Sequence, residues 1–204
     1  LVGSEMCIRD RNDGTVLATT GIMNPQIRFG EDLMSRVSYG IMNEGGAAEM
    51  TKVVCEGLQQ LIAGGAEQAG CTTDDVLEVV LVGNPVMHHL LLGIDPVELG
   101  GAPFALAVDT ATEIKADEIN LSLNKGSRIY ILPCIAGHVG ADAAGVVLAE
   151  APQNGSDVQL LIDVGTNAEI VLGNKDRLLA ASSPTGPAFE GAQISSGQRA
   201  APVS

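Results

Sequence analysis

The residues Leu160-Leu161-Ile162-Asp163-Val164-Gly165-Thr166-Asn167 hold the strongest chemical signal in the chain. An apolar run of this kind reads as a central strand and delivers Asp163 to the strand end, where solvent and ligand begin. Gly165 permits a tight turn, after which the successive amides of Gly165, Thr166 and Asn167 can face one anion, as backbone nests do around phosphates. A carboxylate beside such a cradle has a purpose when a cation accompanies the phosphate. Mg²⁺ is held by one or two carboxylates, waters and phosphate oxygens. Asp163 is therefore the candidate metal ligand, and Gly165, Thr166 and Asn167 complete a candidate phosphate site. Taken alone, Asp-Val-Gly-Thr also serves as an ordinary hairpin turn.

Other polar residues carry two readings each. Glu190, in Gly186-Pro187-Ala188-Phe189-Glu190-Gly191-Ala192, could polarise an attacking water or help hold Mg²⁺, and acidic residues also favour helix N-termini on dipole grounds. Asp142 faces a nucleotide-type cleft or serves as a cap on a mostly apolar helix. His88 and His89 are adjacent, so on a helix they point about 100° apart and do not share one ion. The reading adopted is one partly buried and one solvated histidine. Cys134 and His138 have one-turn spacing without a second ligand pair, which favours a structural thiol. Met23, Met34, Met42, Met50 and Met87 are read as packing residues.

The elements that would position these residues alternate between strand and helix, the mark of α/β layers. Thr15 to Thr19 reads as the second strand of a hairpin whose first strand is lost. Gly30 to Met42 and Glu49 to Ile62 carry apolar residues at helical spacing, with Gly64-Gly65 interrupting the second and Gly70 closing it. Val76 to Val82 is a near-continuous apolar run, predicting a strand buried on both faces of a parallel-type sheet, and Val86 to Leu92 a helix after it. Gly93 to Ala105 reads as loop and Ile129 to Leu132 as a buried strand. Gly137 to Glu150 makes a helix of unusually small residues, which allow close backbone approach. Val158 to Leu172 reads strand, turn, strand; Arg177 to Ala181 is a last strand; Ser182 to Pro187 is loop.

A chain of 204 residues with 46% hydrophobic content can bury one sizeable core or two lobes. The net charge of −14 carries no basic stripe, so no nucleic-acid partner is expected. No apolar run reaches membrane-spanning length and no signal-peptide pattern is present, so a cytoplasmic protein without membrane partner is expected. Leu1 to Asp10 read as a translated sequencing adapter, and residues 1–11 are set apart from the fold. Ala201 to Ser204 stop without a cap, so the chain is expected to be incomplete at both ends. Cys55, Cys71 and Cys134 read as reduced thiols.

Taken together, the landmarks resemble one family. They are Asn24-Pro25-Gln26, Gly30-Glu31-Asp32-Leu33-Met34-Ser35-Arg36, Gly83-Asn84-Pro85-Val86-Met87-His88-His89, Gly140-Ala141-Asp142, the Asp163 to Asn174 hairpin and Gly186 to Ala192. This string resembles the C-terminal ATPase region of the reductive activators of corrinoid proteins. Those proteins belong to the actin, sugar-kinase and heat-shock-chaperone superfamily. The resemblance implies an actin-like, ribonuclease H-like α/β ATPase domain. Residues 12–152 would complete its first lobe with a hinge helix, and 153–204 would begin its second. It further implies that Asp163, Gly165, Thr166 and Asn167, with Asp142 and Gly186 beside them, bind ATP and Mg²⁺, with Asp163 and Glu190 catalytic. Function would be ATP-dependent reduction of a Co(II) corrinoid to Co(I), with electrons from a 2Fe–2S domain not contained in this chain. The expected partner is a corrinoid protein of a methyl-transfer system, and a homodimer is among the partner expectations. Two departures stand out: Ala168 where glycine is expected, and Ser182-Ser183-Pro184-Thr185 in place of a stretch rich in Cys, Ser and Ala. A small-molecule kinase of the same superfamily and a non-catalytic scaffold are the alternatives.

Overall fold

A computed structural model describes residues 3–30, 32–165 and 167–184. Strand β1 (Gly3–Arg9) pairs antiparallel with β2 (Val16–Met23). Asp10 and Gly14 exchange backbone bonds with the turn, while the Asp13 carboxylate accepts from the Thr15 amide. The first strand of this hairpin, expected to be lost, is thus supplied by residues read as adapter. Met6 and Ile8 alternate onto one face of it, and both press on Gly65 of the following long helix.

A 3-10 turn over Pro25–Phe29, absent from the sequence reading, precedes α1 (Leu33–Met42). The Asn24 and Asp32 side chains cap these two elements by accepting from the amides of Gln26 and Ser35. Helix α2 (Gly46–Ala69) runs without a break through Gly64-Gly65 and ends at Gly70, whose φ of 70° makes the left-handed cap. Gly65 is no interruption: a Cβ there would lie 2.9 Å from the Met6 methyl and 3.1 Å from Ile8. The glycine flattens the helix where the hairpin approaches.

Strand β3 (Glu78–Leu81) pairs in parallel with β5 (Arg128–Ile131), and β4 (Thr112–Lys115), in a stretch left without an assignment from sequence, adds antiparallel on the far side of β5. The parallel pairing expected for the Val76 to Val82 run is present. Its burial on both faces is not: Val79 is buried, whereas Leu77, Val80 and Val82 are exposed, and Tyr130 of the central strand is exposed beside Val80, so one face of this sheet is left uncovered by the described residues. Helix α3 (Pro85–Leu91) starts directly from the Asn84 cap, and α4 (Ala141–Glu150) follows β5 through an Ala136–Val139 bridge.

The last sheet is a meander of β6 (Gln159–Val164), β7 (Asn167–Gly173) and β8 (Leu178–Pro184). Ser182 to Pro184, read from sequence as loop, complete β8 by pairing with Glu169, Ala168 and Asn167.

Among the described residues the two larger of three buried clusters make most of the core, the third being Leu132, Cys134 and Ala141. One joins Val54, Ile62 and Leu91 to Val79, Ile129 and Ile131, seating α2 and α3 on the parallel strands. The other joins Phe29, Val37, Met50, Val86 and Leu90. Of the methionines assigned to packing, Met50 is fully buried, while Met23, Met34 and Met42 are exposed. Met23 ends strand β2 and Met34 and Met42 lie on α1, and none of the three joins a buried cluster.

Candidate functional site

A cleft of about 1870 Å³ runs along the open side of the molecule, and its wall includes Asn24, Arg36, Asn84, Asp142, Asp163 and Glu169. Its acidic end is built by two elements. The β6–β7 register sets Asp163 opposite Glu169, so both carboxylates leave the same face of the hairpin. Ser182, opposite Glu169 on β8, donates its hydroxyl to Glu169 Oε1 at 3.3 Å.

Asp142 comes from the first turn of α4. That helix is held by one carbonyl: Gly83 O accepts from the amides of Ala141 (3.0 Å) and Asp142 (3.4 Å). The approach depends on Gly140, where a Cβ would lie 2.7 Å from both Gly83 O and Asn84 Cα. The Asp142 carboxylate accepts from the Ala143 amide at 2.9 Å.

Burial raises the Asp142 pKa, and the Asp163 charge raises it further against the opposing Ala143 bond. Burial also raises that of Glu169, with the charges of Asp142 and Asp163 adding to it and the Ser182 bond opposing. Such mutual repulsion is what a bound cation relieves. Among the described residues, no three His, Cys, Asp or Glu side chains stand close enough to clasp a metal directly. The donor set fits Mg²⁺, which takes one or two carboxylates and keeps its waters.

The sequence-derived site is therefore partly assembled. Asp142, Asp163, Gly165 and Asn167 border one cleft. Thr166, Gly186 and Glu190 lie outside the described residues. The Gly165 amide donates to Asn167 O at 2.8 Å, so it closes the hairpin turn from within. Ala168, the first noted departure from the family pattern, is buried on β7. Glu169 was not singled out from the sequence. Placing the hairpin centre at Thr166 would have found it, since positions 163 and 169 are then equidistant from the turn.

The histidines depart from expectation. Both are buried, His88 3% and His89 1% exposed. His89 Nδ1 lies 2.8 Å from Pro85 O and donates to it, and Nε2 accepts from the Ala107 amide at 3.0 Å, which fixes the neutral tautomer and ties α3 to the loop beyond it. Burial pulls the pKa of each histidine down, and for His88 the neighbouring His89 adds to the effect. Cys134 is buried and its thiol is pushed up to about 11 by desolvation, which makes it unreactive. His138 packs edge-on against Phe104 with ring centroids 4.5 Å apart, and does not join Cys134 in a metal site.

This arrangement, a carboxylate-bearing hairpin facing the start of a small-residue helix across a cleft, has counterparts of known kind. Residues 5–153 match the RACo middle region, and residues 157–204 match the C-terminal domain of RACo, the ASKHA domain. The chain belongs to the RACo family. It is 34% identical over 190 residues to the corrinoid activation enzyme RamQ of Eubacterium limosum, a match covering 93% of this chain and 32% of that protein. A Co(II) methylated amine-specific corrinoid protein reductase of Methanosarcina barkeri is 42% identical over 74 residues, covering 36% of this chain and 14% of its own length. Among solved structures, a reductive activator for corrinoid, iron–sulfur protein superposes with a TM-score of 0.88 at 35% identity, covering 94% of this chain and 31% of that one. The chain thus spans about a third of the length of RamQ and of that activator. The actin-like α/β fold class expected from the sequence is borne out by the RACo match and the superposition.

Proposed function

We propose that the complete gene product is an ATP-dependent reductive activator that takes a corrinoid protein from Co(II) to Co(I). A 2Fe–2S centre in another part of the complete protein would supply the one electron that cobalt gains, and ATP hydrolysis would drive that uphill transfer. The carrying observation is the convergence of Asp142, Asp163 and Glu169 on one cleft, with burial and mutual charge raising two of them. It occurs within a chain of the RACo family.

In this reading Asp163 and Asp142 would hold Mg²⁺, and Glu169, braced by Ser182, would orient water about it. Mg²⁺ held there would supply charge neutralisation to the phosphates. Asn167, Thr166 and Gly186 are assigned to nucleotide binding, and Glu190 to polarising the attacking water. Residues 12–152 form the first lobe and 153–204 open the second, with ATP between them. Closure of the lobes changes contacts with the partner, which is what couples hydrolysis to electron transfer. The partner is a corrinoid protein of a methyl-transfer system, met in the cytoplasm, with the activator as a homodimer.

The test is the visible absorbance of a Co(II) corrinoid protein mixed with the complete gene product and reductant, before and after Mg-ATP. Conversion to Co(I) only with ATP is expected. ATP turnover without any change at cobalt, across several corrinoid proteins, would point instead to a kinase of the same superfamily.

A further inference from the structure

The acidic end of the cleft is rich in acceptors. Asp142, Asp163 and Glu169 bring carboxylates, while the Ser182 hydroxyl is engaged by Glu169 and the Gly165 amide by the hairpin turn. Phosphoryl oxygens are acceptors as well, so a nucleotide placed there also needs donors. The side-chain amides bordering this end are Asn167 on the hairpin and Asn84 on the wall that carries Asp142.

Gly140 shows how near Asn84 stands. The position its Cβ would take is 2.5 Å from Asp142 Oδ1 and 2.7 Å from Asn84 Cα, so those two residues are immediate neighbours. Asp142 in turn feels the charge of Asp163, and Glu169 feels the charges of both, which ties Asn84 to the acidic end as a whole.

Asn84 caps α3, its Oδ1 accepting from the Met87 amide at 2.9 Å. That bond fixes the side chain and uses only its oxygen. Nδ2 carries two N–H donors, and neither bonds to a described residue. Serine or aspartate would cap as well, so capping alone gives no reason for an amide. Nor would a lysine or arginine serve at this position, because it would pair with Asp142 and compete with a cation for that carboxylate. An amide donates to an anion without doing so.

We propose that Asn84 donates from Nδ2 to a phosphoryl oxygen of Mg-ATP, and is thus a further nucleotide-binding residue, supplied by the junction of β3 and α3. The proposal rests on the ATP reading above.

Isothermal titration of the complete gene product with Mg-ATP, alongside thermal unfolding without nucleotide, tests it. Asn84→Ser keeps a capping oxygen and carries no amide. It is expected to melt like the wild type and to bind Mg-ATP about 10-fold more weakly, the effect of losing one hydrogen bond to a charged acceptor. Asn84→Ala loses the cap as well, and is expected to match the serine variant in affinity while melting lower. Should the serine variant fail to fold, Asn84→Thr, also a capping residue, takes its place. Wild-type affinity in the folded serine or threonine variant, or a loss of affinity that follows melting temperature rather than the amide, would make Asn84 a cap alone and overturn its binding role while leaving ATP binding intact. A wild-type protein that binds no Mg-ATP would overturn the ATP reading and this role with it.

Discussion

Asp142 is held where its charge is unfavourable, and that has a measurable sign. A carboxyl whose folded pKa is raised above its unfolded value favours the folded state most at low pH, and that advantage is lost as pH rises through the folded pKa. At neutral pH the charged form therefore weakens the fold unless a cation is present. Asp142→Asn is expected to raise the melting temperature at pH 7 in the absence of Mg²⁺ while weakening Mg-ATP binding, as read by thermal shift with and without nucleotide. Asp163→Ala is expected to weaken Mg-ATP at least ~10-fold and to abolish ATP-dependent Co(I) formation; normal activation by that variant would remove Asp163 from the site. Asp163 was legible because an apolar run and a glycine turn bracket it. Glu169 was not, because its place opposite Asp163 is set by strand register.

At the scale of elements, two contacts fix how the cleft wall is assembled. Gly140→Val would drive a side chain into the Gly83 carbonyl and the Asn84 backbone. Backbone cannot step aside as a flexible side chain would, so a loss of about 1–3 kcal/mol in denaturant unfolding is expected, together with weakened nucleotide binding through displaced Asp142. The His89 bridge predicts a pH effect of opposite sign to that of Asp142. A histidine whose folded pKa is depressed contributes stability that is full above the ordinary value near 6.5 and lost as pH falls below it. Protonation also removes the lone pair that accepts from Ala107. Melting temperature is expected to fall between pH 6.5 and 5, and His89→Gln to flatten that slope. Most helices and strands were readable from apolar spacing. The exceptions are physical: β4 is a four-residue strand with alternating exposure, and the Gly64-Gly65 pair looked like a breaker because its partner, the hairpin pressing on it, is distant in sequence.

Across the whole molecule, burial is uneven. One face of the β6–β8 meander presents Leu160, Ile162, Val164, Leu172 and Leu179 to solvent. Leu160 to Ile162, expected from their apolar run as a central strand, instead lie in β6 at the edge of the described sheet. A protein bearing these 204 residues alone is expected to bind the apolar dye ANS, and Leu160→Lys with Ile162→Lys to reduce that fluorescence. Unchanged dye binding in the double variant would place the sticky surface elsewhere.

The passage between the two matched RACo regions bears on how family members could be recombined. Residues 154–156 lie between them, yet they are no loose tether: Lys175 donates its amide to Gly155 O at 2.9 Å, and the Asn174 side chain donates to Ser156 O at 2.8 Å. The β7–β8 turn thus grips the incoming chain. A chimera that joins the front of this chain to the back of a relative at residue 157 would separate that grip from what it holds. A crossover at Ala151, where the backbone already turns left-handed at φ 49° to end α4, carries both halves of the clasp into the same parent.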